Sequence, residues 1–394
     1  MDEAIREISV WERACCCALN RIFGYEPGIA NRIVEHLGSA AALFAMDREG
    51  LETVLGPASR HIPRICEAEV EKSAEELERL RAQGMRFLAC ADRGYPPLLR
   101  ECPDAPVGLY YRGVSPPEEV FAAERPMISV VGTRDVSLYG REWCQRLVSA
   151  LAGAPKRPTV VSGLALGTDI VAHLSALESG LPTVGVMATG IDDIYPARHY
   201  RFARQIEETP GCALVTDYTP GTSPLAVNFL RRNRIIAGIS SATVLVESRT
   251  KGGGMMTANL AFSYGRSVLA VPGRIDDPRS QGCNYLIKNN VAEPVMGLDD
   301  LPKALGLERG ASRKPDIRAV VEGCFAGKAT PAELEGLLEL ARLIRKNRGA
   351  TPDELCMHSG RPYGEVAALV AMLEQEGIIT TDLLRRCNIN PKKL

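Results

Sequence analysis

Three arginines, an asparagine and an aromatic ring stand together in the segment Asn228-Phe229-Leu230-Arg231-Arg232-Asn233-Arg234, just ahead of the apolar run Ile235-Ile236-Ala237. Guanidinium groups fork onto phosphate oxygens and an aromatic ring stacks on a base, so the chemistry such a segment offers is to hold a phosphodiester chain. The plain alternative is a solvated helix face, which is what most arginine runs are. Three loops favour the first reading. Gly132-Thr133-Arg134 closes the apolar run "MISVVG", with a helix expected from Ser137 or Leu138. A glycine lets a backbone approach a ligand, and N–H groups near a helix start attract anions. Ser162 and Gly163 open a second flexible loop, "SGLALGTDIVAH". Lys251-Gly252-Gly253-Gly254 opens a third, with Arg249 adding charge and a helix expected near Met255. Read plainly, the first is a tight turn with an exposed arginine, and Met255 and Met256 are core filler.

Nucleophilic catalysis is disfavoured. Ser162, Asp169 and His173 invite comparison with a hydrolase triad, but Ser162 is not in a G-x-S-x-G elbow, and Asp169 more simply caps the following helix. No Walker A loop occurs, which disfavours an ATPase. The twelve cysteines are scattered apart from Cys15, Cys16 and Cys17, with no Cys-x-x-Cys pair, so neither a metal site nor a redox motif is expected. The adjacent three read as small apolar packing residues. No catalytic residue and no cofactor is assigned.

These loops need a scaffold that brings them together. Six Val-rich runs, "MISVVG", "TVVSG", "PTVGVMATG", "CALVTD", "ATVLVES" and "SVLAVPG", are mostly separated by helix-length segments. Runs of this kind, buried on both faces, mark a parallel sheet in an α/β domain, with ligands at the carboxyl ends of the strands. The expected architecture is therefore a Rossmann-like, mostly parallel sheet over 91–300. An N-terminal helical domain, 1–90, precedes it; there "GYEPG" between two helices resembles a helix-hairpin-helix turn. A linker over 301–332 leads to a winged-helix-like module over 333–394. In that module Thr351, Pro352 and Glu354 form a helix cap, and any wing is short or absent.

Charge is nearly balanced, 47 basic against 48 acidic residues, so a nucleic-acid site must be a local patch and not a global field. No stretch of about 18 apolar residues suggests a membrane span. The N-terminus lacks the basic region of a secretory signal, and a reduced cytoplasmic protein is expected.

With these residues in hand, the sequence resembles the DprA/Smf family of bacterial DNA-processing proteins. "GTR" at 132–134, "SGLALGTD" at 162–169, "GIDDIYP" at 190–196, "FLRRNRIIAG" at 229–238, "GGGMMTA" at 252–258, "VPG" at 271–273 and "SQGCNYLI" at 280–287 match the family's motifs in order and spacing. The resemblance implies a protein that binds single-stranded DNA with little sequence preference, shields it during natural transformation, helps load RecA, forms a homodimer through the core and is not an enzyme. The implied DNA-binding residues are Gly132, Thr133 and Arg134 in the first loop, Ser162 and Gly163 in the second, and Lys251, Gly252, Gly253 and Gly254 in the third. Between the second and third stand Phe229 as a stacking ring, with Arg231, Arg232, Asn233 and Arg234 beside it. The sequence departs from the family pattern at Leu166, where many relatives carry a basic residue, and at Leu230, where the family commonly has proline.

A competing reading is a nucleotide-binding enzyme of the phosphoribohydrolase ("lonely guy") type. Its P-G-G-x-G-T-x-x-E loop needs a catalytic glutamate, and here Asn259 and Leu260 follow Thr257 and Ala258. A third is a scaffold whose terminal modules recruit a partner. Arg361 is the sole cation in "RPYGEVAALVAML", so the C-terminal module is expected to touch protein ahead of DNA.

Overall fold

The computed structural model describes residues 8–308, 317–347, 349–381 and 385–390. The chain forms two units, one ending at Glu308 and one beginning at Arg309.

The first unit is built on a nine-stranded sheet: β1 (Met85–Ala89), β2 (Gly108–Arg112), β3 (Met127–Val131), β4 (Thr159–Ser162), β5 (Thr183–Val186), β6 (Ala213–Thr216), β7 (Ala242–Leu245), β8 (Ser267–Ala270) and β9 (Glu293–Pro294). Their order across the sheet is β1-β2-β6-β5-β4-β3-β7-β8-β9. The six Val-rich runs are β3 to β8, and they pair in parallel. Strands β3 to β7 are buried along their whole length, as expected of runs with apolar residues on both faces. From β3 the chain lays β4, β5 and β6 to one side, then returns to place β7 and β8 on the other. The carboxyl ends of β3 and β7 therefore flank the switch point, where open α/β sheets hold ligands.

Helices Leu138–Ala152 and Thr168–Glu178 pack on one face of the sheet, through residues such as Leu147, Leu151, Val171 and Ala172. Helices Ala226–Ile239 and Gly253–Ser263 cover the other, through Ile235, Ile236, Met255 and Ala258. The hairpin β1–β2 extends the sheet antiparallel to β6. Strand β1 lies on the N-terminal side of the expected boundary at residue 90; Phe87 and Ala89 bury against the N-terminal helices and Leu88 joins the cluster of Ile235 and Met255 on the sheet's other face.

Ahead of β1 stand helices Val10–Phe23, Pro27–Leu37 and Glu67–Ala82. The Ser9 hydroxyl accepts from Glu12 N, Pro27 occupies a first-turn position, and Gly38 ends its helix in the left-handed region. Cys15, Cys16 and Cys17 are buried as packing residues, and burial pushes the Cys17 thiol up to about 12.

The second unit contains helices Ile317–Phe325, Pro331–Lys346, Pro352–Ser359 and Tyr363–Gln375, followed by the antiparallel ribbon of β10 (Ile379–Thr381) and β11 (Cys387–Ile389). Thr351 and Glu354 close a full capping box, and Thr330 and Glu333 close another. The expected linker over 301–332 is shorter than its composition suggests. Leu301, Leu305 and Leu307 bury against the first unit, and Ile317, Val321 and Phe325 bury in the second. Residues 309–316, the centre of that linker, lie outside the described residues. Among the described residues, no helix is long and apolar enough to cross a membrane, and no cluster of side chains could hold a metal ion.

Candidate nucleic-acid interface

At the carboxyl edge of the sheet, the loops after β3, β4 and β7 are stitched together by their backbones. Thr133 N donates to Glu247 O at 2.7 Å, and Thr168 N donates to Thr133 O at 3.1 Å. Gly167 has φ +74, and a Cβ there would stand 2.5 Å from Arg134 O, so this position requires glycine on both counts. A Cβ on Gly254 would meet Gly132 Cα at 3.1 Å. The expected glycine loops do converge, and part of the reason for their glycines is contact with one another.

Helix Gly253–Ser263 opens onto this edge. Gly252 is its N-cap, no side chain caps it, and its first turn carries no acid. Uncapped N–H groups and the dipole make such a start attractive to a phosphate. Gly253, Lys251 and Arg249 are exposed there. Asn233 Nδ2 donates to Gly253 O at 3.3 Å, fixing this loop to the helix that carries the arginines.

Beside it stands an aromatic and cationic cluster. Arg134 is exposed, and its Cζ lies 4.8 Å over the centroid of the half-buried Phe229 ring. Tyr195 meets the same ring edge-on, with centroids 5.4 Å apart, and is itself 46% exposed. Sequence reading did not assign Tyr195 to the site. Its signal was the "GIDDIYP" motif, but whether that motif's ring touches Phe229 depends on how the loop after β5 folds back.

The remaining expected residues divide sharply. Arg231 is half-buried, with its Cζ 4.4 Å over Tyr25 and its Nη2 donating to Gly24 O at 3.1 Å. Arg232 is not a surface cation. It is 3% exposed and donates to the carbonyls of Gly163 and Val186. Burial lowers its guanidinium to about 10, with Asp169 opposing that shift. A Cβ on Gly163 would lie 2.6 Å from the Arg232 Cζ, so Gly163 makes room for this arginine and is not a bare phosphate cradle. Arg234 is likewise sealed. Its guanidinium pairs with the buried Asp217 carboxylate and bonds Asp104 O. Ser162 is fully buried and donates to Val130 O at 2.7 Å, which removes it from the loop surface. Arg232 and Arg234 are drawn inward by oxygens of the surrounding loops and strands, Gly163 makes room for Arg232, and Ser162 ends β4 inside the sheet.

The acid–base groups nearby are equally committed. His173 is buried, with Nδ1 within 2.7 Å of Thr183 Oγ1, and burial lowers it to about 3, the charge of Arg232 adding to the effect. Burial raises Asp169, while Arg232 opposes; its carboxylate accepts from Ala165 N at 3.4 Å. Glu247 accepts from Ser137 N at 2.9 Å and from Ser137 Oγ at 2.5 Å. Each is held in a structural hydrogen bond.

Comparison with known proteins places the chain in a family. The family model for DNA recombination-mediator protein A matches residues 86–306. The chain is 39% identical to Protein Smf of Escherichia coli (strain K12) over 291 residues, covering 72% of each chain. It is 35% identical to DNA processing protein DprA of Streptococcus pneumoniae over 210 residues, 53% of this chain and 71% of that one. The X-ray structure of DNA processing protein A from Streptococcus pneumoniae superposes with a TM-score of 0.61 at 26% identity, covering 76% of this chain and 98% of that one. Matched over more than half its length, and bringing the family's ordered motifs to one edge of the sheet, the chain belongs to the DNA recombination-mediator protein A (DprA/Smf) family of DNA-processing proteins.

Proposed function

We propose that this protein binds single-stranded DNA without sequence preference at the carboxyl edge of its sheet, shields the strand and passes it to a RecA-type recombinase, acting as a cytoplasmic homodimer and without turnover. The observation that carries this reading is the exposed Arg134 guanidinium over the Phe229 ring, beside the uncapped start of helix Gly253–Ser263. A ring offers its face to any unstacked base, and a fixed cation with bare N–H groups takes the neighbouring phosphates. Bases present such faces when they are not stacked in a duplex, which supports a preference for single strands. The handover to a recombinase rests on the recombination-mediator character of the family. The absence of turnover is supported by the commitment of Ser162, His173 and Glu247 to structural bonds.

The test is fluorescence anisotropy with labelled oligo-dT and a matching duplex across a salt series. Tight binding to the single strand, with a log–log salt slope near −0.7 per phosphate neutralised, is the expected result. Equal affinity for duplex, or no binding at low salt, overturns the reading. Sedimentation over a concentration series tests the dimer, and a RecA filament-assembly assay tests the handover.

A further inference from the structure

The helix that carries Phe229 holds a second pairing of cation and ring on its opposite flank. At about 100° per residue, Phe229 and Arg231 project about 200° apart around the axis. Phe229 meets Arg134, and Arg231 meets Tyr25, which belongs to the turn between helices Val10–Phe23 and Pro27–Leu37. The arc between them is Leu230 and Val227, both nearly half exposed. Tyr25 is 54% exposed although Arg231 covers part of it, so ring surface remains open.

We propose that Tyr25 and Arg231 form a second stacking platform for the same DNA strand. The strand runs from the Phe229 crevice over the apolar crest of Leu230 and Val227 onto the N-terminal helical turn. The inference rests on the single-strand reading above. Three observations carry it. The two platforms share one rigid helix, so a strand seated on the first is delivered to the second. The crest between them is apolar, which suits bases and not a hydrated surface. Cations flank the far end: besides Arg231, the exposed Arg64 reaches the last turn of helix Val10–Phe23, just ahead of Tyr25, with Nη2 donating to Arg21 O at 3.2 Å. The neighbouring acid, Glu26, already accepts from Arg60 at 2.7 Å and lies 3.0 Å from His61 Nε2, so its charge is countered. The N-terminal turn thereby lengthens the DNA site.

The experiment is affinity against oligo-dT length, from about 4 to about 16 nucleotides, the range of single-strand sites. It uses the full chain and the variants Tyr25→Ala, Tyr25→Phe and Arg134→Ala. Tyr25→Ala is expected to weaken the long strands roughly 10-fold and leave the shortest unchanged, while Tyr25→Phe restores the loss, because stacking needs only the ring. Arg134→Ala is expected to weaken every length. Unchanged affinity of Tyr25→Ala at all lengths, with Arg134→Ala impaired, overturns the second platform alone. Equal weakening of Tyr25→Ala at all lengths also overturns it, since the residue would then act through the helix. Unchanged affinity of Arg134→Ala overturns the underlying single-strand reading. Light-driven crosslinking of 5-iodouracil placed along the long strand gives an independent readout: a crosslink on the peptide containing Tyr25 supports the platform.

Discussion

Along helix Ala226–Ile239, Phe229 and Arg231 reach the surface and pair with Arg134 and Tyr25, whereas Arg232 and Arg234, within three residues of Arg231, are sealed against carbonyls and Asp217. The same residue type, repeated within four positions, does two different jobs. A cation left in water beside a ring keeps its counterions until a phosphate replaces them. A sealed cation is already desolvated and satisfied by protein oxygens. It organises the loops around it, as Arg232 does for Gly163, and cannot contribute to a salt-dependent affinity.

The sharpest way to break this contrast is Arg234→Ala. It leaves the Asp217 carboxylate buried and unpaired, and the expected loss is about 3–5 kcal/mol in urea unfolding. Replacing both partners, as Arg234→Met with Asp217→Leu, should recover most of that loss. A variant as stable as the parent would place Arg234 with the surface cations.

Next in size is a pH effect from the sealed layer. His173 falls from 6.5 to about 3, so the unfolded chain binds the extra proton as pH drops through that window. Its contribution to stability is complete above pH 6.5 and declines at about 1.4 kcal/mol per pH unit down to pH 3. Unfolding free energy measured against pH should be steeper in the parent than in His173→Asn, and parallel curves would contradict a buried neutral imidazole.

On the open side, Phe229→Ala should cost about 1–3 kcal/mol of single-strand affinity with the thermal midpoint nearly unchanged. Arg134→Ala should lower the salt slope by about 0.7, while a stable Arg232 variant leaves that slope as it was. The smallest effect is expected in the second unit. Arg361 lies 2.9 Å from Glu339 and also pairs with Glu365, so it is already neutralised. Arg361→Ala should change stability by less than about 1 kcal/mol and leave DNA affinity unaltered.

Much of this molecule is legible in its residues. Val-rich runs bounded by glycine and polar residues mark β3 to β8, since burial on both faces leaves no room for alternation. Thr351, Pro352 and Glu354 mark a helix start because a capping box is a local hydrogen-bond pattern. Arg134, Phe229 and the glycines of 252–254 are recognisable as candidate site residues by type and order. The partition of Arg231, Arg232 and Arg234 is not, because exposure depends on which face of the helix meets the sheet and on whether Asp217, forward of β6, comes within reach. Tyr195 is hidden for the same reason, as its contact with Phe229 joins two loops distant in sequence.

The chain alone therefore determines the periodic features: which runs are strands, where helices begin, and where a backbone lacks side chains. Hydrophobic patterning and local hydrogen bonding act within a few residues and leave their mark in order and spacing. Only the tertiary structure decides which charges stay in water. The cost of burying a guanidinium is met by partners supplied from other strands, and their positions exist only once the sheet has closed.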